Sequence, residues 1–126
     1  MLSEIIYKEL SYKILGILFT VYKNLGSGHR ELYYQRAIAE EFKKQNLIFK
    51  EQVSVPLVYN NKSIGLHRVD FLVDNKIVLE IKKDEYFSHL HIKQLHGYLK
   101  VLNLQLGILA NFTKNGVKQK RILNVF

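Results

Sequence analysis

Two acidic residues and a lysine fall close together on neighbouring predicted strands. Asp70 lies in the strand predicted over residues 64–73, and Glu80 and Lys82 lie in the one predicted over residues 77–82. Because side chains alternate along a strand and a short turn joins these two, both carboxylates are expected on one face of the sheet beside Lys82. Magnesium takes one or two carboxylates, with water and substrate phosphate completing its octahedral shell. A lysine beside the ion could position or deprotonate the attacking water or offset the charge on a pentavalent phosphate, so the pattern indicates phosphodiester hydrolysis.

The same alternation assigns the neighbours of Asp70 to the two faces of the strand. It places Arg68, Asp70 and Leu72 on one face, and Val69, Phe71 and Val73 on the other. His67 then falls on the face opposite Asp70, where we expect a structural role unless a β-bulge redirects it.

Taken alone, Glu-x-Lys on a strand more often describes an exposed, salt-bridged face, but residues outside the strands favour the chemical interpretation. Glu31 shares one helical stripe with Tyr34 and Ile38, a face that otherwise packs inward. A carboxylate there is expected to be paired, bound to a metal or protonated. Gln94 and Tyr98 are four residues apart on another predicted helix and so lie on one side of it, where they could equally form a polar edge beside the core.

Other patterns are weaker candidates for a site. His89 and His91 diverge on a helix, so a zinc site there would need several distant ligands. The turn at Gly26, Ser27 and Gly28 lacks the lysine and the spacing of a phosphate-binding loop and is expected to cap a helix. A basic cluster could follow a nucleic-acid backbone or simply be solvated. Its members are Lys114, Lys118, Lys120 and Arg121.

These residues are positioned by a predicted series of helices and strands. Apolar residues recurring every three or four positions predict helices over residues 3–24, 30–45 and 88–102. Alternating or continuously apolar segments predict strands over 49–59, 64–73, 77–82 and 104–112, followed by a hairpin and a short last strand. Pro56 cannot donate a ladder hydrogen bond, so the first strand is expected at an edge or with a bulge. We predict an α/β fold in which a three-strand antiparallel meander plus a parallel crossover strand form a central mixed sheet flanked by helices.

Length and composition fit one folded domain over residues 1–126. Of the 126 residues 48% are hydrophobic and 24% charged, which excludes a disordered or low-complexity protein. The longest apolar segment is far shorter than the roughly 20 residues needed to span a bilayer, so no membrane partner is expected. The absence of cysteine excludes disulfides and a cysteine nucleophile, and with no secretion signal visible it favours a cytoplasmic location. A net charge of +8 favours a polyanionic partner such as nucleic acid.

The order of these motifs resembles the PD-(D/E)XK nuclease superfamily. Asp70, nine intervening residues and then Glu80-Ile81-Lys82 resemble its catalytic core, and the segment from Gln94 to Tyr98 resembles the QxxxY motif of its RecB-like branch. Residues 28–34 are similar to the GxxExxY signature of one group of these proteins. The resemblance spans residues 28–112 and implies the restriction-endonuclease-like fold. Val69 stands where the family motif has a proline before the aspartate, a departure that many RecB-like members share.

The resemblance also implies a nuclease that uses Mg²⁺ or Mn²⁺. It implies that Asp70 and Glu80 bind the ion with the carbonyl of Ile81, that Lys82 is the catalytic lysine and Glu31 a further acidic residue, and that Gln94 and Tyr98 orient substrate or the lysine. The expected substrate is nucleic acid, DNA rather than RNA, and a homodimer could be needed to cut both strands of a duplex. The alternative is a catalytically inactive domain of the same fold that binds nucleic acid or another protein.

Overall fold

A computed structural model of the chain describes residues 6–124. Its elements, in chain order, are α1 (Lys8–Leu25), α2 (Glu31–Lys44), β1 (Phe49–Tyr59), β2 (Lys62–Val73), β3 (Ile77–Lys82), α3 (His89–Leu102), β4 (Leu106–Thr113) and β5 (Gly116–Leu123). They confirm the predicted order of helices and strands. The predicted start of the first helix, at Ser3, lies outside the described residues. None of these helices combines the length and the apolar character that a bilayer crossing requires.

The five strands form one mixed sheet in the order β1-β2-β3-β4-β5. Strands β1 to β3 are an antiparallel meander, β4 runs parallel to β3, and β5 returns antiparallel to β4. Helix α3 makes the crossover between the two parallel strands, as the sequence predicts. Ser88 caps its first turn, because the serine hydroxyl accepts hydrogen bonds from the N–H groups of Leu90 and His91.

Helices cover both faces of the sheet. Helices α1 and α2 pack on one face through residues such as Ile17 and Ile38, and α3 packs on the other through Leu95 and Leu99. Strand β4 is buried at all eight of its positions, which explains its largely apolar sequence, although Asn111 and Thr113 are polar. Burying each large apolar side chain stabilises such a fold by about 1.5–3 kcal/mol.

The side-chain alternation of β2 changes face at Asp70. Phe71 packs in the core beneath α1 and α2, whereas Val69 packs in the core beneath α3. The prediction that these two residues share a face is therefore wrong. The cause lies on β1, where Gln52 has a φ of 51° between the ladder pairs Glu51↔Phe71 and Val53↔Val69. A left-handed residue in a strand rotates the following side chains, and the paired strand follows the same kink.

Tight turns and modified edges complete the sheet. Asn60 and Asn61 join β1 to β2 with φ values of 50° and 62°, the left-handed pair that a two-residue hairpin turn needs. Strand β1 is an edge strand, and its register shifts between Leu57 and Val58, one residue beyond Pro56. Both features confirm the expectation drawn from Pro56.

Candidate active site

The acidic residues lie where strands β2 and β3 separate. Their last ladder pair is Phe71↔Leu79, and Asp70 and Glu80 are the next residues on the two strands. Each carboxylate accepts a hydrogen bond from the neighbouring strand, since the Asp70 N–H donates to Glu80 Oε1 at 2.7 Å and the Ile81 N–H donates to Asp70 Oδ2 at 2.7 Å. The predicted convergence of the two carboxylates is therefore present in the structure.

Burial gives both carboxyl groups raised pKa values. Burial, followed by the nearby charge of Asp70, raises the pKa of Glu80 from 4.5 to about 8. Burial likewise raises the pKa of Asp70 from 3.8 to about 6, and the Ile81 N–H and the charge of Lys82 oppose that rise. Near neutral pH the metal-free pair therefore retains about one proton that it would lose as two separate, solvated carboxylates.

Lys82 and Glu31 complete the charged group at the end of β3. The Lys82 charge lowers the pKa of both Asp70 and Glu80, whereas the Glu31 charge raises both. Glu31 is held there by a hydrogen bond in which the Lys83 N–H donates to its Oε2 at 3.2 Å. Asp70 and Glu80 are therefore within electrostatic reach of both the Lys82 ammonium and the Glu31 carboxylate.

Glu31 is positioned by the loop that precedes α2. Gly26 and Gly28 have φ values of 72° and 89°, which allow the chain to turn sharply into the helix. The Tyr34 hydroxyl donates to the Gly26 carbonyl at 2.7 Å, and its ring stacks on Phe112 with centroids 4.2 Å apart. The tyrosine of the sequence motif therefore anchors the loop to the core, and Glu31 begins the helix at a fixed place.

Helix α3, which covers the face of the sheet opposite α2, brings Tyr98 near the two carboxylates. Burial raises the pKa of Tyr98, and the charges of Glu80 and Asp70 raise it further, so its hydroxyl lies within their electrostatic reach. Gln94, one turn earlier on α3, is half-buried. His67 packs beside Tyr98, with ring centroids 5.4 Å apart, so it lies on the α3 face of the sheet.

Two glutamines near the site carried no prediction from the sequence. The Gln35 Nε2 donates to Asp70 Oδ1 at 2.9 Å, and the Gln52 Nε2 donates to Gln35 Oε1 at 3.1 Å. Gln35 could have been found, because it lies four residues after Glu31 and so on the same side of α2. Gln52 carries no such signal, since its contact depends on its left-handed backbone.

The donor set fits a hard divalent cation. Between residues 6 and 124 no group of three or more His, Cys, Asp or Glu side chains is arranged to hold a metal ion. Mg²⁺ needs fewer, because it usually binds through one or two carboxylates and keeps water and phosphate as its other ligands. Asp70 and Glu80 supply those two carboxylates, and a cation between them would favour the ionised forms that burial disfavours.

A mixed sheet with acidic residues and a lysine on its adjacent central strands defines the restriction-endonuclease-like class of α/β proteins. The chain belongs to the PD-(D/E)XK nuclease superfamily, whose sequence model matches residues 8–122.

Two solved structures share the fold. The crystal structure of SSO0001 superposes with a TM-score of 0.57 at 23% identity, covering 75% of this chain and 50% of that one. An alkaline exonuclease (LHK-Exo) from Laribacter hongkongensis superposes with a TM-score of 0.52 at 14% identity, covering 69% and 52%. The chain thus spans about half the length of these two proteins. No curated protein matches the sequence.

Proposed function

We propose that this protein is a metal-dependent nuclease that hydrolyses phosphodiester bonds, in DNA rather than RNA, with Mg²⁺ or Mn²⁺. The observation that carries the proposal is the meeting of Asp70 and Glu80 across the end of the β2–β3 ladder, within the electrostatic reach of Lys82. Membership of a nuclease superfamily supports it.

The proposed roles follow from where each side chain lies. Asp70, Glu80 and the carbonyl of Ile81 would hold the ion, which when bound would polarise the phosphate and lower the pKa of a water molecule. Lys82 follows Glu80 on the same strand, so its ammonium would stabilise the negative charge that grows on the phosphate.

Three further residues would assist from the two helices that flank the strand end. Glu31, fixed at the start of α2 by the Lys83 N–H, would accept a proton or orient the attacking water. Gln94 and Tyr98 would orient the substrate or Lys82 from α3. The position of Glu31 together with Tyr34 also supports assignment to the GxxExxY group.

The partner and location in this proposal rest on charge and composition. A net charge of +8 attracts a phosphate backbone. The lack of cysteine fits a reducing cytoplasm. A homodimer is included because two copies, each with one site, could cut the two strands of a duplex together.

Cleavage assays on duplex DNA, single-stranded DNA and RNA test the proposal. We expect cleavage of DNA with Mg²⁺ or Mn²⁺ and none with a chelator. Asp70→Asn, Glu80→Gln and Lys82→Met should each lower the rate at least about 100-fold, because each removes a charged group that contacts the ion or the phosphate. Glu40→Gln is the matched control, since that carboxylate is exposed on α2 with 75% of its side-chain surface accessible.

Two results would contradict the proposal. One is cleavage retained in all three site variants, which would identify a contaminating nuclease. The other is nucleic-acid binding that falls steeply with salt but gives no cleavage with any divalent ion, which would identify the inactive alternative.

A further inference from the structure

Both oxygens of the Asp70 carboxylate are held by N–H donors of the protein. The Ile81 N–H donates a hydrogen bond to Oδ2 at 2.7 Å, and the Gln35 side-chain amide donates one to Oδ1 at 2.9 Å. Each carboxylate oxygen can accept two hydrogen bonds or metal contacts, so each keeps one lone pair free. The two donors therefore fix the plane of the carboxylate and leave its remaining lone pairs to a ligand.

The orientation of the Gln35 amide is set by a second glutamine. A Gln side chain can place either its oxygen or its NH₂ group toward a neighbour. The Gln52 Nε2 donates to Gln35 Oε1 at 3.1 Å, so Oε1 is directed to Gln52 and Nε2 to Asp70. Reversing the Gln35 amide would bring its oxygen against an acceptor carboxylate and two NH₂ groups against each other.

Gln52 reaches this position through an unfavourable backbone conformation. Its φ of 51° is left-handed, which costs a residue other than glycine on the order of 1–3 kcal/mol. The residue lies on the edge strand β1, between the partners of Phe71 and Val69 and therefore opposite Asp70. Its side chain is exposed, so core packing does not account for the conformation.

We propose that Gln35 and Gln52 are positioning residues that together orient Asp70 for binding a divalent cation. The inference rests on the proposed function, because it assumes that Asp70 is a metal ligand. Groups that hydrogen-bond to metal ligands typically contribute 10–100-fold to metal affinity or activity, because they fix the ligand's orientation.

Calorimetric titration of the full chain with Mn²⁺ tests the inference through a double-mutant cycle. Gln35→Met keeps the length of the side chain but removes the donor to Asp70, and it should weaken Mn²⁺ binding about 10–100-fold. Gln52→Met should weaken binding by a smaller factor. The loss of affinity in the double variant should be smaller than the product of the two single losses, because the two glutamines belong to one hydrogen-bonded network on Asp70. Gln119→Met, an exposed glutamine on the other edge strand, is the matched control and should leave binding unchanged.

A second measurement separates positioning from a general loss of structure. The Mg²⁺ concentration that gives half-maximal cleavage should rise in Gln52→Met, while the rate at saturating Mg²⁺ stays within about twofold of wild type. Because Gln52 is exposed, this variant tests the inference even if Gln35→Met does not fold.

The outcomes distinguish the inference from the proposal beneath it. Unchanged Mn²⁺ affinity in Gln52→Met, or effects of the two substitutions that simply add, would overturn the positioning role alone. A wild-type chain that binds no Mn²⁺ would overturn the proposed function, and this inference with it.

Discussion

Removing the ionisable group at residue 80 is expected to stabilise the metal-free protein as the pH rises. Glu80 is only 8% exposed, and burial, followed by the charge of Asp70, raises its pKa from 4.5 to about 8. Between these pH values the folded chain holds a proton that the unfolded chain releases. The stability of the wild type should therefore fall as pH rises through this window and level off above pH 8. A Glu80→Gln variant has no such proton to lose.

The size of the effect follows from the width of the window. At ~1.4 kcal/mol per pH unit, the interval from 4.5 to about 8 corresponds to ~5 kcal/mol of folding free energy. The amide that replaces the carboxyl can still accept from the Asp70 N–H, but its NH₂ group must be accommodated in a buried place, which costs about 1–3 kcal/mol. We expect Glu80→Gln to be more stable than wild type by about 2–4 kcal/mol at pH 8, and no more stable at pH 4.5.

Urea unfolding in the presence of a chelator, repeated at intervals from pH 4.5 to 8.5, measures this difference directly. The variant should keep only the weaker dependence below pH 6 that belongs to Asp70. Glu40→Gln makes the same chemical change at an exposed site and should follow the wild type. Equal stability of Glu80→Gln and wild type at pH 8, with parallel pH profiles, would refute the reasoning from burial.

Two further predictions, one on packing around Gly107 and one on the hydrogen bond of Tyr34, can be checked by urea unfolding. A methyl group added at Gly107 would lie 2.9 Å from Leu95 Cγ, so Gly107→Ala should destabilise the protein by about 1–3 kcal/mol. Gly16 lies on α1, and a methyl group added there would meet nothing within 4 Å, so Gly16→Ala should stabilise the protein by up to ~1 kcal/mol. A stabilising Gly107→Ala together with a destabilising Gly16→Ala would contradict the described packing. Tyr34→Phe removes the 2.7 Å hydrogen bond to the loop before α2 and should cost about 1–2 kcal/mol, whereas the exposed Tyr33→Phe should have little effect.

The parts of the fold that could be predicted from the sequence are those set by local rules. The turn at Asn60 and Asn61 needs left-handed residues, which asparagine tolerates. The edge position of β1 follows from the missing N–H of Pro56. The shared side of Glu31 and Tyr34 on α2 was predictable because residues three and four apart lie on the same side of a helix. The convergence of Asp70 and Glu80 was predictable because a short turn fixes the register of their strands.

The parts that could not be predicted depend on one unfavourable residue. Strict side-chain alternation fails at Val69 because the backbone of Gln52 is left-handed. Gln52 lies between Glu51 and Val53, and neither neighbour signals a left-handed backbone. The same kink brings the Gln52 side chain to Gln35, so the glutamine pair was hidden for the same reason. A period-two pattern describes a regular strand, and the site lies where the strand is irregular.

The two edge strands, β1 and β5, also affect how readily the molecules aggregate at high concentration. On one side, Pro56 offers no N–H and the register shift beside it breaks the row of backbone groups. On the other, the exposed Lys118 and Lys120 of β5 bring positive charge to any approaching chain. Neither edge of the sheet offers an uninterrupted row of backbone groups to a strand of another molecule, so edge-to-edge growth into fibrils is disfavoured. A homodimer would have to form through side-chain surfaces rather than by joining two sheets into one.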